Sequence, residues 1–250
     1  MKGLIFVAEN NEIMGGFALY EGEEFDWNKF LELLEEEWNI IPQNSVEDNT
    51  LAFIVNDMNV AVVFKNEKVE DGEAEEAATY NVLWQNGKEA VSKHKSQAVL
   101  VVTERITPIA QAILFAKIAC CLMKMPGAIG LYKQPTVYEK NFYIQFAETI
   151  REGALPMPIL VFTGIYHNEN GFTAFTAGMR FFGKEEIEIV NSKNDPDEIM
   201  GLLISVAEYC VGENVDLADG ETVGFSDTQK IPVKISEGVS VTGNSVKLLF

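Results

Sequence analysis

Basic residues are scarce in this sequence. Lys and Arg together number 19 against 38 Asp and Glu, giving a formal net charge of −19. Neutralising phosphates takes clustered Lys and Arg, so a chain with this deficit repels nucleic acid and anionic membrane surfaces. The imbalance is local: residues 1–80 hold 19 Asp/Glu against 4 Lys, a net −15, while the remaining 170 residues carry −4. A basic protein is the partner such a half would attract. Solvation is the plainer use of the same charge, with Glu32, Glu35, Glu36 and Glu37 wetting one helix face.

Cysteine and histidine are also few. Cys120, Cys121 and Cys210 are odd in number, lie in apolar helical runs and form neither a CxxC pair nor a zinc spacing. They read as reduced core residues. The two histidines, His94 and His167, lack an HExxH or i,i+4 partner and occupy the ends of predicted elements, where they read as structural. No GxSxG elbow is present; 238–243 (GVSVTG) has the wrong spacing and context. No cofactor motif is found, so the expectation is no cofactor and no metal centre.

A long hydrophobic run is missing too. The apolar stretch 4–7 is too short for a signal peptide, and 106–125 is interrupted by Pro108, Gln111, Lys117 and Lys124, so it reads as a buried helix. The expected location is the cytoplasm. What the chain has in plenty is core: 250 residues with 47% hydrophobic side chains suffice for one large or two packed domains without disulfide or metal.

Hydrophobic periodicity orders the elements. After an N-terminal strand, residues 16–20 read as a strand. Trp27, Phe30, Leu31, Leu34 and Trp38 form a helical stripe N-capped by Asp26. Residues 51–56 and 59–65 are two strands around the turn Asn56-Asp57-Met58-Asn59. Residues 73–94 read as a helix broken at Asn86-Gly87, and 97–103 as an apolar strand. This β-α-β-β-α-β order predicts a ferredoxin-like unit.

The order then repeats in outline. A helix starts at Thr107-Pro108. Strand 128–132 follows, then helix 139–152 opened by Thr136 and Glu139, strands 159–167 and 172–182 around Asn168-Glu169-Asn170-Gly171, a short strand 187–190, and a helix begun by Asp195-Pro196. Short strands close the chain. The fold class expected is α+β, as duplicated ferredoxin-like halves of mainly antiparallel sheet: a first acidic half 1–105, a buried connecting helix 106–126 and a second half 127–250.

Three candidate sites stand out. The stretch from Gly178 to Lys184 fits GxxxxGK, yet Glu185 stands where a phosphate loop needs Ser or Thr, and Phe181 and Phe182 sit where amides must wrap an anion. A nucleotide site is therefore rejected. Strand alternation instead puts Ala174, Thr176, Gly178 and Arg180 on one face, where small residues leave a trough beside a guanidinium. Arg180, Thr176 and Gly178 are thus candidates for binding a small anionic ligand, unless Arg180 pairs with a structural carboxylate. The third candidate is a cation cluster of Glu70, Asp71, Glu73 and Glu76 around Gly72, with interaction of these acids with a helix start as the alternative.

Four stretches carry a family resemblance: 16–19 (GFAL), 69–75 (VEDGEAE), 178–188 (GMRFFGKEEIE) and 219–226 (DGETVGFS). The chain resembles the uncharacterised bacterial family known as domain of unknown function 4261, most clearly over 166–239. The resemblance implies a cytoplasmic bacterial protein and brings no catalytic residue, cofactor or substrate. With no catalytic motif, the leading expectation is a non-enzymatic interaction or small-ligand-sensing protein. The alternatives are an enzyme built from dispersed carboxylates and Arg180, and an immunity-type inhibitor that binds a basic partner.

Overall fold

The computed structural model describes residues 13–103, 107–226 and 229–250. It is α+β, with two mainly antiparallel six-stranded sheets and seven helices among the described residues. The chain divides into two compact units between Ile159 and Leu160. The N-terminal strand expected before residue 13 lies outside the described residues.

In the first unit, β1 (Ile13–Tyr20) leads to α1 (Trp27–Trp38), whose N-cap Asp26 accepts the Lys29 amide as expected. The hairpin of β2 (Thr50–Val55) and β3 (Met58–Lys65) turns through Asn56 and Asp57, both at positive φ, where Asn and Asp are the tolerated side chains. The expected long helix 73–94 is two short ones, α2 (Glu73–Ala78) and α3 (Gly87–Val91), joined by turns. Next come β4 (Ser96–Thr103) and α4 (Pro108–Lys124), the latter capped by Thr107 with Pro at its first position. β5 (Ala128–Lys133) and β6 (Thr136–Glu139) form a hairpin, followed by α5 (Lys140–Glu148). Thr136 and Glu139 are therefore strand residues, and the helix cap is Glu139 itself, which accepts the Phe142 amide.

The sheet order is β2-β3-β4-β1-β5-β6, every neighbour antiparallel. Side-chain alternation gives each strand two faces. One face, with Ala18, Tyr20, Leu51, Phe53, Val60, Val62, Leu100 and Val102, is buried, and α4 packs on β1, β4 and β5 with α1 and α5 against it. Tyr20 Oη donates to the Leu122 carbonyl at 3.0 Å, and Gln111 Nε2 to that of Val102 at 2.7 Å, tying helix to sheet. The helix expected to connect two halves is thus the core of the first unit, because its apolar surface runs all round and must be enclosed.

The second unit begins at Leu160, the last residue of the short helix α6 (Met157–Leu160), which replaces the start of the strand expected at 159. β7 (Phe162–Asn168), β8 (Gly171–Ala177) and β9 (Ile187–Ser192) form a meander, then α7 (Pro196–Gly212), β10 (Thr222–Val223), β11 (Ile231–Glu237) and β12 (Asn244–Leu248) complete the order β10-β11-β12-β9-β8-β7. One pair, β12 with β9, is parallel. α7 lies on β7, β8 and β9, burying Ile199, Leu203 and Val206 in a core with Ala174 and Ile189. A duplicated fold would repeat one strand order; here the orders and connections differ, and the first sheet takes in the strand at 128–132 that was expected in the second half.

Candidate functional site

The second face of the first sheet is only half covered. α2 and α3 pack over β5, with α2 reaching β6, and enclose Leu19, Tyr132, Val137, Ala74 and Ala78. Beyond them, β2, β3 and β4 present their other side chains to solvent. Register places these in two cross-strand rows: Ala52, Ala61, Val101 and Gly15, then Ile54, Asn59, Thr103 and Ile13. The first row is small, so it sinks below its neighbours; the second carries Ile54 and Ile13, which are 65% and 49% exposed. The result is an open groove of about 390 Å³ lined by Asn44, Ala52, Ile54, Asn59, Ala61, Val101 and Thr103, with Phe53 and Val60 contributing beneath.

The chemistry of the groove is that of contact. Among the described residues none that lines it is titratable, so these supply no acid, base or charged nucleophile. Asn44 Nδ2 donates to the Ala52 carbonyl at 2.7 Å, occupying a backbone acceptor on the outer edge of β2 and obstructing addition of another strand there. Sequence reasoning missed this site. The alternation of β2 and β3 showed two faces, but which face α2 and α3 would leave bare is set by tertiary packing.

The predicted site residues are all described. β8 ends at Ala177 because Gly178 adopts φ +123, and Met179–Phe182 forms a 3-10 turn. Arg180 therefore does not continue the strand face of Ala174 and Thr176. The amides of Gly178, Met179 and Arg180 converge on the Glu186 carboxylate at 2.9, 3.3 and 3.4 Å, and Thr176 Oγ1 donates to it at 2.7 Å. The GxxxxGK stretch does make an anion nest, and the anion in it is the protein's own side chain. The Arg180 guanidinium donates to the Thr242 carbonyl and lies 3.7 Å from Glu185, holding the 238–243 loop.

The proposed cation cluster is dispersed. Glu70 and Asp71 lie in a 3-10 turn, Glu73 accepts from Tyr132 Oη at 3.4 Å, and Glu76 accepts from Tyr80 Oη at 3.3 Å. Among the described residues no group of three His, Cys, Asp or Glu is placed to hold a metal ion. The helix-start interpretation accounts for these acids. His94 is structural as expected: its Nε2 accepts the Val69 amide at 3.1 Å, which leaves Nδ1 to donate to the Val91 carbonyl at 2.6 Å.

Perturbed groups do occur among the buried residues. Glu188 is wholly buried on β9, yet ionisation is favoured: burial pushes its carboxyl up, but Lys247, Ser245 and the Ser240 and Val239 amides together hold it below the usual range. These bonds clamp the 238–245 hairpin onto β9. In the first unit Lys124 and Arg151 alternate with Glu37 and Glu148 in a four-charge ring joining α1, α4 and the end of α5, and Arg151 stacks 4.2 Å over Trp38. Burial raises the thiols of Cys120 to about 12 and Cys210 to about 11, leaving them protonated and unreactive. Burial also lowers Lys133, on β5, to about 8.

Residues 175–249 match the model of a family described as a domain of unknown function, DUF4261. The match bears out the resemblance for the stretches 178–188 and 219–226 and covers most of the second unit, including Glu186, Glu188 and the 238–245 hairpin. No curated protein and no solved structure matches the chain significantly. No helix of the described residues is long and apolar enough to cross a membrane.

Proposed function

We propose that this is a cytoplasmic, non-enzymatic interaction protein that binds a partner on the bare half of its first sheet. One observation carries the reading: among the described residues the groove is open and lined by apolar and neutral polar side chains, whereas the buried carboxylates Glu186 and Glu188 are saturated by internal donors. An apolar hollow without a proton carrier suits contact and not bond-making. Exposed apolar surface of this kind marks association sites on soluble domains. The reading needs no ferredoxin-like duplication, because it rests on one sheet. It also favours a basic partner over a small anionic ligand, since Glu186 fills the anion nest beside Thr176 and Gly178.

The groove is tested with a neutral apolar dye. Nile red fluorescence should rise on binding the native protein and fall to background in Ala61→Arg, whose side chain fills the floor while its charge reaches water. Melting temperature should stay within a few degrees, because Ala61 is only half-buried. Unchanged dye binding by the folded variant would contradict the proposal.

A further inference from the structure

The strands beneath the groove set the shape of what fits, and the charges around it set the sign. β2 spans six residues, which at roughly 3.3 Å per residue is about 20 Å. Exposed acids flank it at both ends: Glu47 and Asp48 precede Thr50, with Glu47 bridged to Thr50, and Asp57 sits in the turn after Val55. None of the three has an ion-pair partner among the described residues. The only cation on β2, β3 or β4 is Lys65, at the end of β3, paired with Glu67 at 3.2 Å. Asn44 obstructs the outer edge at Ala52, so a visiting chain is directed onto the face.

We infer that an extended segment of a partner protein, about six residues long and apolar on one side with Lys or Arg at each end, lies along β2 and crosses the groove. This rests on the binding reading above and adds the partner's length and charge pattern. The segment's apolar side chains lie over Ala52 and Ile54 with Ala61 alongside, and the basic ends reach Asp57 on one side and Glu47 with Asp48 on the other.

Three ten-residue peptides separate the two claims, each an alternating Val/Thr hexapeptide flanked on both sides by Lys-Lys, Ser-Ser or Glu-Glu. Methyl resonances of Ala52, Ile54 and Ala61 should move with the Lys-flanked peptide. The Ser-flanked one should bind about fivefold more weakly, as loss of a few exposed charge pairs implies, and the Glu-flanked one should not register. The triple variant Glu47→Gln, Asp48→Asn, Asp57→Asn should bind the Lys- and Ser-flanked peptides alike; Asn suits the positive φ at 48 and 57, so the fold is kept. Equal groove binding by all three peptides to the native protein would overturn the charge inference and leave the groove reading standing. Shifts only elsewhere, none at all, or a self-associated protein whose second copy fills the groove would overturn both.

Discussion

At the residue scale, the second unit depends on one buried carboxylate. Lys247→Met strands Glu188 without its cation, and breaking a buried pair this way should cost about 3–5 kcal/mol in urea unfolding. The pH dependence has a definite sign. Because Glu188 in the folded protein sits below its unfolded value, its contribution is fully present above the usual carboxylate range and is lost as pH falls through the folded value. Glu188→Gln should therefore lose less stability than the native protein between pH 5 and 3; an identical acid slope would contradict the account. Arg180 behaves differently. Its side chain is part-exposed and bonded to a backbone carbonyl, so Arg180→Met should cost only about 1 kcal/mol, in place of the larger loss a buried ion pair would give. The sequence could not distinguish these cases, since the anion serving the Gly178 turn is Glu186, eight residues downstream and across a strand boundary.

At the element scale, local signals read well where the cause was local. Asp26, Thr107 and Asp195 each accept a first-turn amide in the helix they were expected to start, and Asn56-Asp57 makes the expected hairpin turn. Errors arose where tertiary contact overrode pattern. Thr136–Glu139 is a strand because it pairs with β5, and 73–94 shortens to two helices that present small residues to β5 and β6. Close approach in the β5–β6 hairpin gives a sharp test. A Cβ at Gly130 would lie 2.5 Å from the Tyr138 carbonyl oxygen, so Gly130→Ala must separate two strands. We expect a loss of about 1–3 kcal/mol, measured by thermal denaturation, where Gly15→Ala, on the open face, should be nearly neutral.

At the scale of the whole molecule, the sequence disclosed an α+β chain with an acidic N-terminal half and no catalytic motif, and the resemblance over its C-terminal part held. The division at Ile159 and the bare sheet face were hidden, because both follow from which strands pair at long range and not from any stretch of residues. The central claim is that this face is where the protein meets its partner. Methyl NMR tests it most directly, by titrating the Lys-flanked peptide into the full chain. The account predicts saturable shifts at Ala52, Ile54 and Ala61, with Val62, Leu100, Ile189 and Leu203 unmoved; saturable shifts that leave these three methyls in place would contradict it.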